Sequence, residues 1–227
     1  MKNIVITGAS RGIGAALAML LAKDNRVLLL SRNLPHLENI QLQHSDVLIE
    51  KFDLCETDLK PRLISLIKKH FDHVDIVINN AGQLVNKPFL AITRAEMEQV
   101  YATNVFGVME VCQAMIPFMK SGSHIVNIGS MGGFQGSVKF PGLSVYSSSK
   151  SAVAGFSECL AEELKEQQIA VNCLALGSAQ TEMLAEAFPG YKAPVSASEM
   201  ATFIADFSLN ANRWINGKTI PVSLSTP

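Results

Sequence analysis

The sequence predicts an α/β fold: a single domain over residues 1–227, built on a doubly wound parallel sheet of about seven strands with helices on both faces. Two observations predict it. Short runs rich in Val and Ile alternate with amphipathic stretches of 12 or more residues, and near-continuous apolar runs suit strands buried on both faces. No Gly/Ser/Pro-rich linker, internal repeat or low-complexity tract divides the chain. Its 227 residues are enough for one large core.

The elements follow in order. Strands are expected at 4–7, 27–30, 47–52, 74–78, 125–128, 171–176 and 219–224. A helix over 15–23 follows a glycine-rich turn. Thr93-Arg94-Ala95-Glu96 forms a capping box that opens a helix to about 118. Along it Met97, Val100, Tyr101, Val105, Val108, Cys112 and Met115 recur at helical spacing. The stretch 151–166 reads as a helix opened by Tyr146-Ser147-Ser148-Ser149-Lys150, and Ser196-Ala197-Ser198-Glu199 caps the last helix.

Composition excludes several functions. Charged residues are 17% of the chain and the net charge is 19 − 20 = −1, so binding to nucleic acid or anionic membranes by bulk electrostatics is not expected. Cys55, Cys112, Cys159 and Cys173 have no metal-ligand spacing and read as small buried hydrophobes. The five histidines form no HxxxH pair, so no metal site is expected. The first residues lack the apolar core of a signal peptide, and no apolar run is long enough to span a membrane. A cytoplasmic location is the expectation.

The first expected strand runs into Gly8-Ala9-Ser10-Arg11-Gly12-Ile13-Gly14 and then a helix. Glycines let the backbone turn tightly beside phosphates, and the helix N-terminus offers N–H groups and a positive dipole end. The turn therefore reads as a dinucleotide diphosphate site. NAD-binding folds place an acid about 20 residues on, against the ribose 2′-hydroxyl. Here the second strand ends Leu29-Leu30-Ser31-Arg32-Asn33, without a carboxylate. Arg32 and Arg11 instead offer two guanidiniums, which suit a 2′-phosphate and hence NADP(H).

Tyr146 and Lys150 are one helical turn apart and share a face. An ammonium beside a phenol favours the phenolate and makes the tyrosine usable as a general acid or base. Other polar groups fall where a parallel sheet presents its ligand crevice. Gly129-Ser130 ends the 125–128 strand, Asn79-Asn80-Ala81-Gly82 ends the 74–78 strand, and Asn104 interrupts the apolar stripe of the helix starting at 93.

These residues carry a resemblance. Thr7-Gly8-x3-Gly12-x-Gly14, Asn79-Asn80-Ala81-Gly82, Asn104, Ser130 and Tyr146-x3-Lys150 stand in the order of the short-chain dehydrogenase/reductase family, over essentially the whole chain. The resemblance implies a Rossmann-like fold, a nicotinamide cofactor and a catalytic tetrad of Asn104, Ser130, Tyr146 and Lys150. It implies cofactor contacts from Gly8, Ser10, Arg11, Gly12, Ile13, Gly14, Arg32, Asp53, Leu54, Asn80, Ala81, Gly82, Tyr146, Lys150, Gly177 and Thr181. It also implies a homodimer or homotetramer, pairing the helices at 93–118 and 146–166 across a two-fold axis. There are departures: Tyr146 lies 16 positions after Ser130, roughly three more than the family's usual interval. The usual Pro-Gly is Leu176-Gly177, the tail lacks an acidic-glycine ending, and the substrate loop, about 181–195, is short.

Together these readings describe an NADPH-dependent reductase of a carbonyl (an aldehyde, a ketone or a 3-oxoacyl group), acting on a small molecule. Tyr146 would donate the proton, Ser130 would hydrogen-bond the carbonyl oxygen, Lys150 would lower the tyrosine pKa and hold the ribose, and Asn104 would position a water. The alternatives are a non-catalytic NADP(H)-binding sensor or scaffold and an NAD-linked alcohol dehydrogenase. The expected substrate walls are Met131, Phe134, Phe140, Leu143, Met183, Leu184 and Phe188, which favour apolar or aromatic carbonyl compounds.

Overall fold

A computed structural model of the chain describes residues 1–224. It contains β1 (Asn3–Thr7), α1 (Gly12–Leu21), β2 (Arg26–Ser31), α2 (Pro35–Gln43), β3 (Val47–Lys51), α3 (Leu59–His70), β4 (Val74–Asn79), α4 (Arg94–Tyr101), α5 (Gly107–Met115) and β5 (Met119–Ile128). Next come α6 (Ser144–Glu163), β6 (Ala170–Leu176), β7 (Ala179–Gln180), α7 (Glu182–Ala187), β8 (Val195–Ser196), α8 (Ala197–Asn210) and β9 (Thr219–Val222). Seven strands form one sheet in the order β3-β2-β1-β4-β5-β6-β9, parallel throughout. All seven expected strands are in it. The strands β7 and β8 form a separate two-stranded ladder.

The continuous apolar runs have a direct cause. Successive strand residues face opposite sides of a sheet, and both sides here are covered. On β1, Ile4 and Ile6 join the core beneath α1, α2 and α8, whereas Val5 joins the core beneath α3, α5 and α6. Fully burying one such side chain contributes about 1.5–3 kcal/mol, so neither face of a central strand tolerates a polar residue without a partner. Both expected capping boxes form, Thr93 with Glu96 and Ser196 with Glu199.

Three expectations change. The helix expected from 93 to 118 is not uniform: α4 and α5 are joined by a π-helical turn at Ala102–Phe106. The strand expected at 125–128 begins at Met119, where Ser123 Oγ donates to Val74 O at 3.1 Å and ties a polar, Gly-containing stretch to β4. Of the four cysteines, only Cys112 and Cys173 are buried; Cys55 and Cys159 are exposed, on a loop and on the outer side of α6. The apolar residues of the two long helices also turn inward. Val100, Val108, Val111, Met115, Val153, Leu160 and Leu164 are all buried within the chain, because they cover the sheet or the neighbouring helix.

One buried polar network sits under β5, β6 and α8. Asn172 Nδ2 lies 3.0 Å from His124 Nε2 and 2.9 Å from Ile215 O, and donates to both. That makes Nε2 an acceptor, so the ring proton is on Nδ1 and points at Ser208 O, 3.1 Å away. Burial pushes the His124 pKa from 6.5 down to about 4, against a smaller opposing effect of Ser208 O. A second ring proton would face the Asn172 amide. The unfolded chain therefore binds a proton near pH 6.5 that the native chain refuses, and stability falls as pH drops toward about 4. The loss reaches about 3 kcal/mol. Urea unfolding at pH 7 and pH 4.5 should show it, and His124→Gln should flatten this part of the pH dependence. Parallel pH profiles for the two proteins would contradict the assignment.

Candidate active site

Between β1 and β4 the strand order reverses, and the connections on either side diverge. A crevice must open there at the carboxyl ends of the strands. It has a volume of about 1690 Å³. Every residue expected to bind a cofactor lines it, from Gly8 to Gly14, through Arg32, Asp53, Leu54 and Asn80–Gly82, to Gly177 and Thr181. Ser130, Tyr146 and Lys150 line it too; Asn104 does not.

The turn after β1 depends on its glycines. Gly8 has φ +68°, and a Cβ there would lie 2.6 Å from Ala81 Cα. A Cβ on Gly14 would lie 2.1 Å from Gly8 O, so no other residue fits. Side chains stitch the turn to its neighbours. Asn80 Nδ2 donates to Thr7 O and Gly8 O at 3.2 and 3.0 Å, and Ala81 N donates to Thr7 Oγ1 at 3.1 Å. Ser31 Oγ donates to Ser10 Oγ at 2.7 Å and ties the turn to the end of β2. The start of α1 is thus left with its first N–H groups facing the crevice.

Asn104 lies fully buried in the π-helical turn. Its Oδ1 accepts from Gln83 N at 2.7 Å, and its Nδ2 donates to Gln83 O and to Ser149 Oγ, both at 2.9 Å. One amide therefore clamps the strand-end loop after β4 and joins it to α6. Both ends of the amide are engaged with protein groups. The widened turn brings the amide to Gln83, and π-turns of this kind recur at functional sites.

Ser130 Oγ accepts from Gly132 N at 3.2 Å. Tyr146 and Lys150 stand one turn apart near the start of α6, with the Lys150 Nζ 5.9 Å from the centre of the Tyr146 ring. The ammonium donates to Ile128 O at 2.7 Å. The expected lowering of the tyrosine pKa is not found. Burial raises the Tyr146 pKa above 10, and hydrogen bonding with Ser130 offsets only part of that rise. Lys150 is itself pushed down to about 8 by burial, with Cys173 acting the other way. Desolvation is the largest effect at both groups.

The two arginines differ in their partners. Arg11 Nη1 donates to Glu186 Oε1 at 2.7 Å, whereas Arg32 makes no side-chain hydrogen bond or ion pair among the described residues. Asp53 Oδ1 accepts from Cys55 N at 3.1 Å in a local turn, and Leu54 is buried against Gly107. The expected substrate loop is shaped as a strap. The β7–β8 ladder pins its two ends, α7 lies between them, and Asn86 Nδ2 donates to Ala187 O at 2.8 Å. Of the expected wall residues, Met131, Phe140, Leu143, Met183, Leu184 and Phe188 line the crevice and Phe134 does not. Gln83 and Asn86 carry no local signal as site residues, and the pairing of Glu186 with Arg11 is not legible, because these partners lie far away in sequence. Among the described residues no cluster of three or more His, Cys, Asp or Glu side chains could hold a metal, and no helix is long and apolar enough to cross a membrane.

A family model described as short chain dehydrogenase matches residues 2–192. An uncharacterized oxidoreductase of Staphylococcus saprophyticus is 37% identical over 191 residues, covering 80% of this chain and 76% of the other. Among solved structures, a short chain dehydrogenase from Burkholderia cenocepacia in complex with NADP superposes with a TM-score of 0.88 at 26% identity, covering 98% and 96% of the two chains. A 3-ketoacyl-(acyl-carrier-protein) reductase from Brucella melitensis complexed with NADH gives 0.86 at 23% identity, covering 97% and 96%, and shares the fold.

The Asn104 clamp is open to test. Asn104→Ala leaves the Gln83 N–H and C=O without partners in a half-buried loop. The expected cost is about 1–3 kcal/mol in chemical denaturation, with faster hydrogen exchange at the Gln83 amide. Unchanged exchange there would mean the amide does not hold the loop.

Proposed function

The chain belongs to the short-chain dehydrogenase/reductase family of oxidoreductases, and from that premise we propose that it is an NADPH-dependent carbonyl reductase. One observation carries the reading. Ser130, Tyr146 and Lys150 open onto the same crevice as the glycine turn, at the point where the strand order reverses. The crevice exceeds the roughly 300–1,000 Å³ of an ordinary small-molecule pocket, which suits a dinucleotide and a substrate together. The glycine turn and the α1 N-terminus fit a diphosphate, and Asn80–Gly82, Asp53, Leu54, Gly177 and Thr181 complete the walls around it. The end of β2 carries no carboxylate to repel a 2′-phosphate, and Arg32 lines the crevice as a cation without an ion pair among the described residues.

When bound, the nicotinamide supplies the hydride. Tyr146 keeps its proton because burial holds its pKa above 10, which is the state a proton donor needs. It gives that proton to the carbonyl oxygen as negative charge develops there. Ser130 Oγ donates a hydrogen bond to the same oxygen. Lys150 holds the nicotinamide ribose, and Asn104 acts on the site by fixing the 80–83 loop and α6. The apolar walls, with Lys139 as the one cation of the 131–143 segment, favour small neutral aldehydes or ketones. A homodimer or homotetramer and a cytoplasmic location complete the reading, with Phe106 as an exposed apolar group on the outer side of the α4–α5 region.

Tyr146→Phe should keep the fold and cofactor affinity and remove nearly all turnover. Unmodified protein should bind NADPH well ahead of NADH, and Arg32→Asp should reverse that order by adding repulsion to lost attraction. Substantial turnover in Tyr146→Phe, or equal affinity for both cofactors, would refute the corresponding assignment. With NADPH, kcat/KM for small neutral carbonyl compounds should exceed that for carrier-linked 3-oxoacyl groups; the opposite order would overturn the pocket argument alone.

A further inference from the structure

The side chain of Arg11 stands on a wall shared by two cavities. One is the large crevice; the other is a side cavity of about 220 Å³ between the glycine turn, the loop after β4, and α7. In the structure Arg11 serves the second, through its 2.7 Å contact with Glu186. No other cation pairs with Glu186 among the described residues. The base of the strap also lies against the turn: a Cβ on Gly12 would come within 3.2 Å of Thr181 Cγ2 and 3.4 Å of Glu182 Oε2. With Asn86 holding Ala187 O, α7 is anchored on two sides, and the Arg11 anchor is the charged one.

An arginine cannot shed its charge, so its guanidinium serves whichever anion holds it better. Two anions compete for it here, the Glu186 carboxylate and a phosphate entering the crevice beside the glycine turn. We propose that Glu186 is a specificity-determining residue, which competes with the cofactor 2′-phosphate for Arg11 and latches α7 over the glycine turn until that phosphate draws Arg11 away. This rests on the NADP(H) reading above. Cofactor choice and the freedom of the strap are then one equilibrium: NADP(H) releases the latch, and NAD(H), which lacks the 2′-phosphate, leaves it closed.

The partners are 47% and 64% exposed, so the competing interaction is modest and salt-sensitive. Cofactor fluorescence titrations on the full chain give dissociation constants for NADPH and NADH in wild type, Glu186→Gln, Arg11→Gln and the double variant. Glu186→Gln should tighten NADPH about three- to fivefold at low salt and leave NADH unchanged. The gain should shrink with added NaCl and vanish in the Arg11→Gln background. Without any cofactor, hydrogen exchange at the α7 amides should speed up in both single variants. Circular dichroism checks that each variant is folded; both residues lie on the surface, and glutamine keeps the length of Glu186. If Arg11→Gln weakens NADPH while Glu186→Gln leaves it unchanged, the competition is wrong and the NADP(H) reading stands. If Arg11→Gln leaves NADPH unchanged, Arg11 does not reach the phosphate and the proposal falls. If the wild type binds neither cofactor, the proposed function falls and takes the latch with it.

Discussion

The five inner strands of the parallel sheet, buried on both faces, leave few positions for polar side chains. Within the layers a polar side chain must find a buried partner, as His124 and Asn172 do; the alternative costs a few kcal/mol. Parallel strands all finish on the same edge, so their carboxyl ends are where polar side chains collect and pair with the adjoining loops. Thr7, Ser31, Asn79 and Ser130 sit at or just beyond the ends of β1, β2, β4 and β5. The site is a consequence of this direction of travel, with α1 and α6 adding an N-terminal turn and a Tyr-Lys face.

That architecture explains which parts of the molecule were legible in the sequence. Strand runs and capping boxes are local signals: both boxes form and each expected run falls in a sheet strand, with β5 alone starting well ahead of its apolar run, at Met119. The glycine turn, Ser130, Tyr146 and Lys150 were legible too, because each belongs to a contiguous motif next to one strand or helix. The π-helical turn was not. It exists where Asn104 reaches Gln83, 21 residues earlier, and Ser149, 45 residues later. The Arg11–Glu186 pair spans 175 residues. Charge and spacing gave the arginine its expected partner, a phosphate; only the folded chain shows the carboxylate beside it.

The protonation states of Tyr146 and Lys150 were illegible for a different reason. Spacing places the two residues on one helical face, but direction and burial set their electrostatics. Ile128 O accepts a hydrogen bond from the Lys150 ammonium at 2.7 Å, and the phenol is left in a poorly solvated wall of the crevice. The result is an acid that holds its proton beside a weakened base, opposite in direction to the pairing that spacing alone suggests. The same geometry leaves the lysine positioned at the crevice without requiring a phenolate.

The strap between β7 and β8 has a bearing on how such a protein diversifies. Pairing Ala179 with Val195 and Gln180 with Ser196 fixes the two ends of residues 181–194 close together. Chain entropy for a loop with fixed ends grows only logarithmically with length, about 0.6 kcal/mol per doubling. Insertions between the two short strands are therefore cheap, and they leave the register of the seven-stranded sheet untouched. The strap side of the crevice can lengthen, shorten or change composition over generations while the side built by the glycine turn, Ser130 and Tyr146 stays as it is.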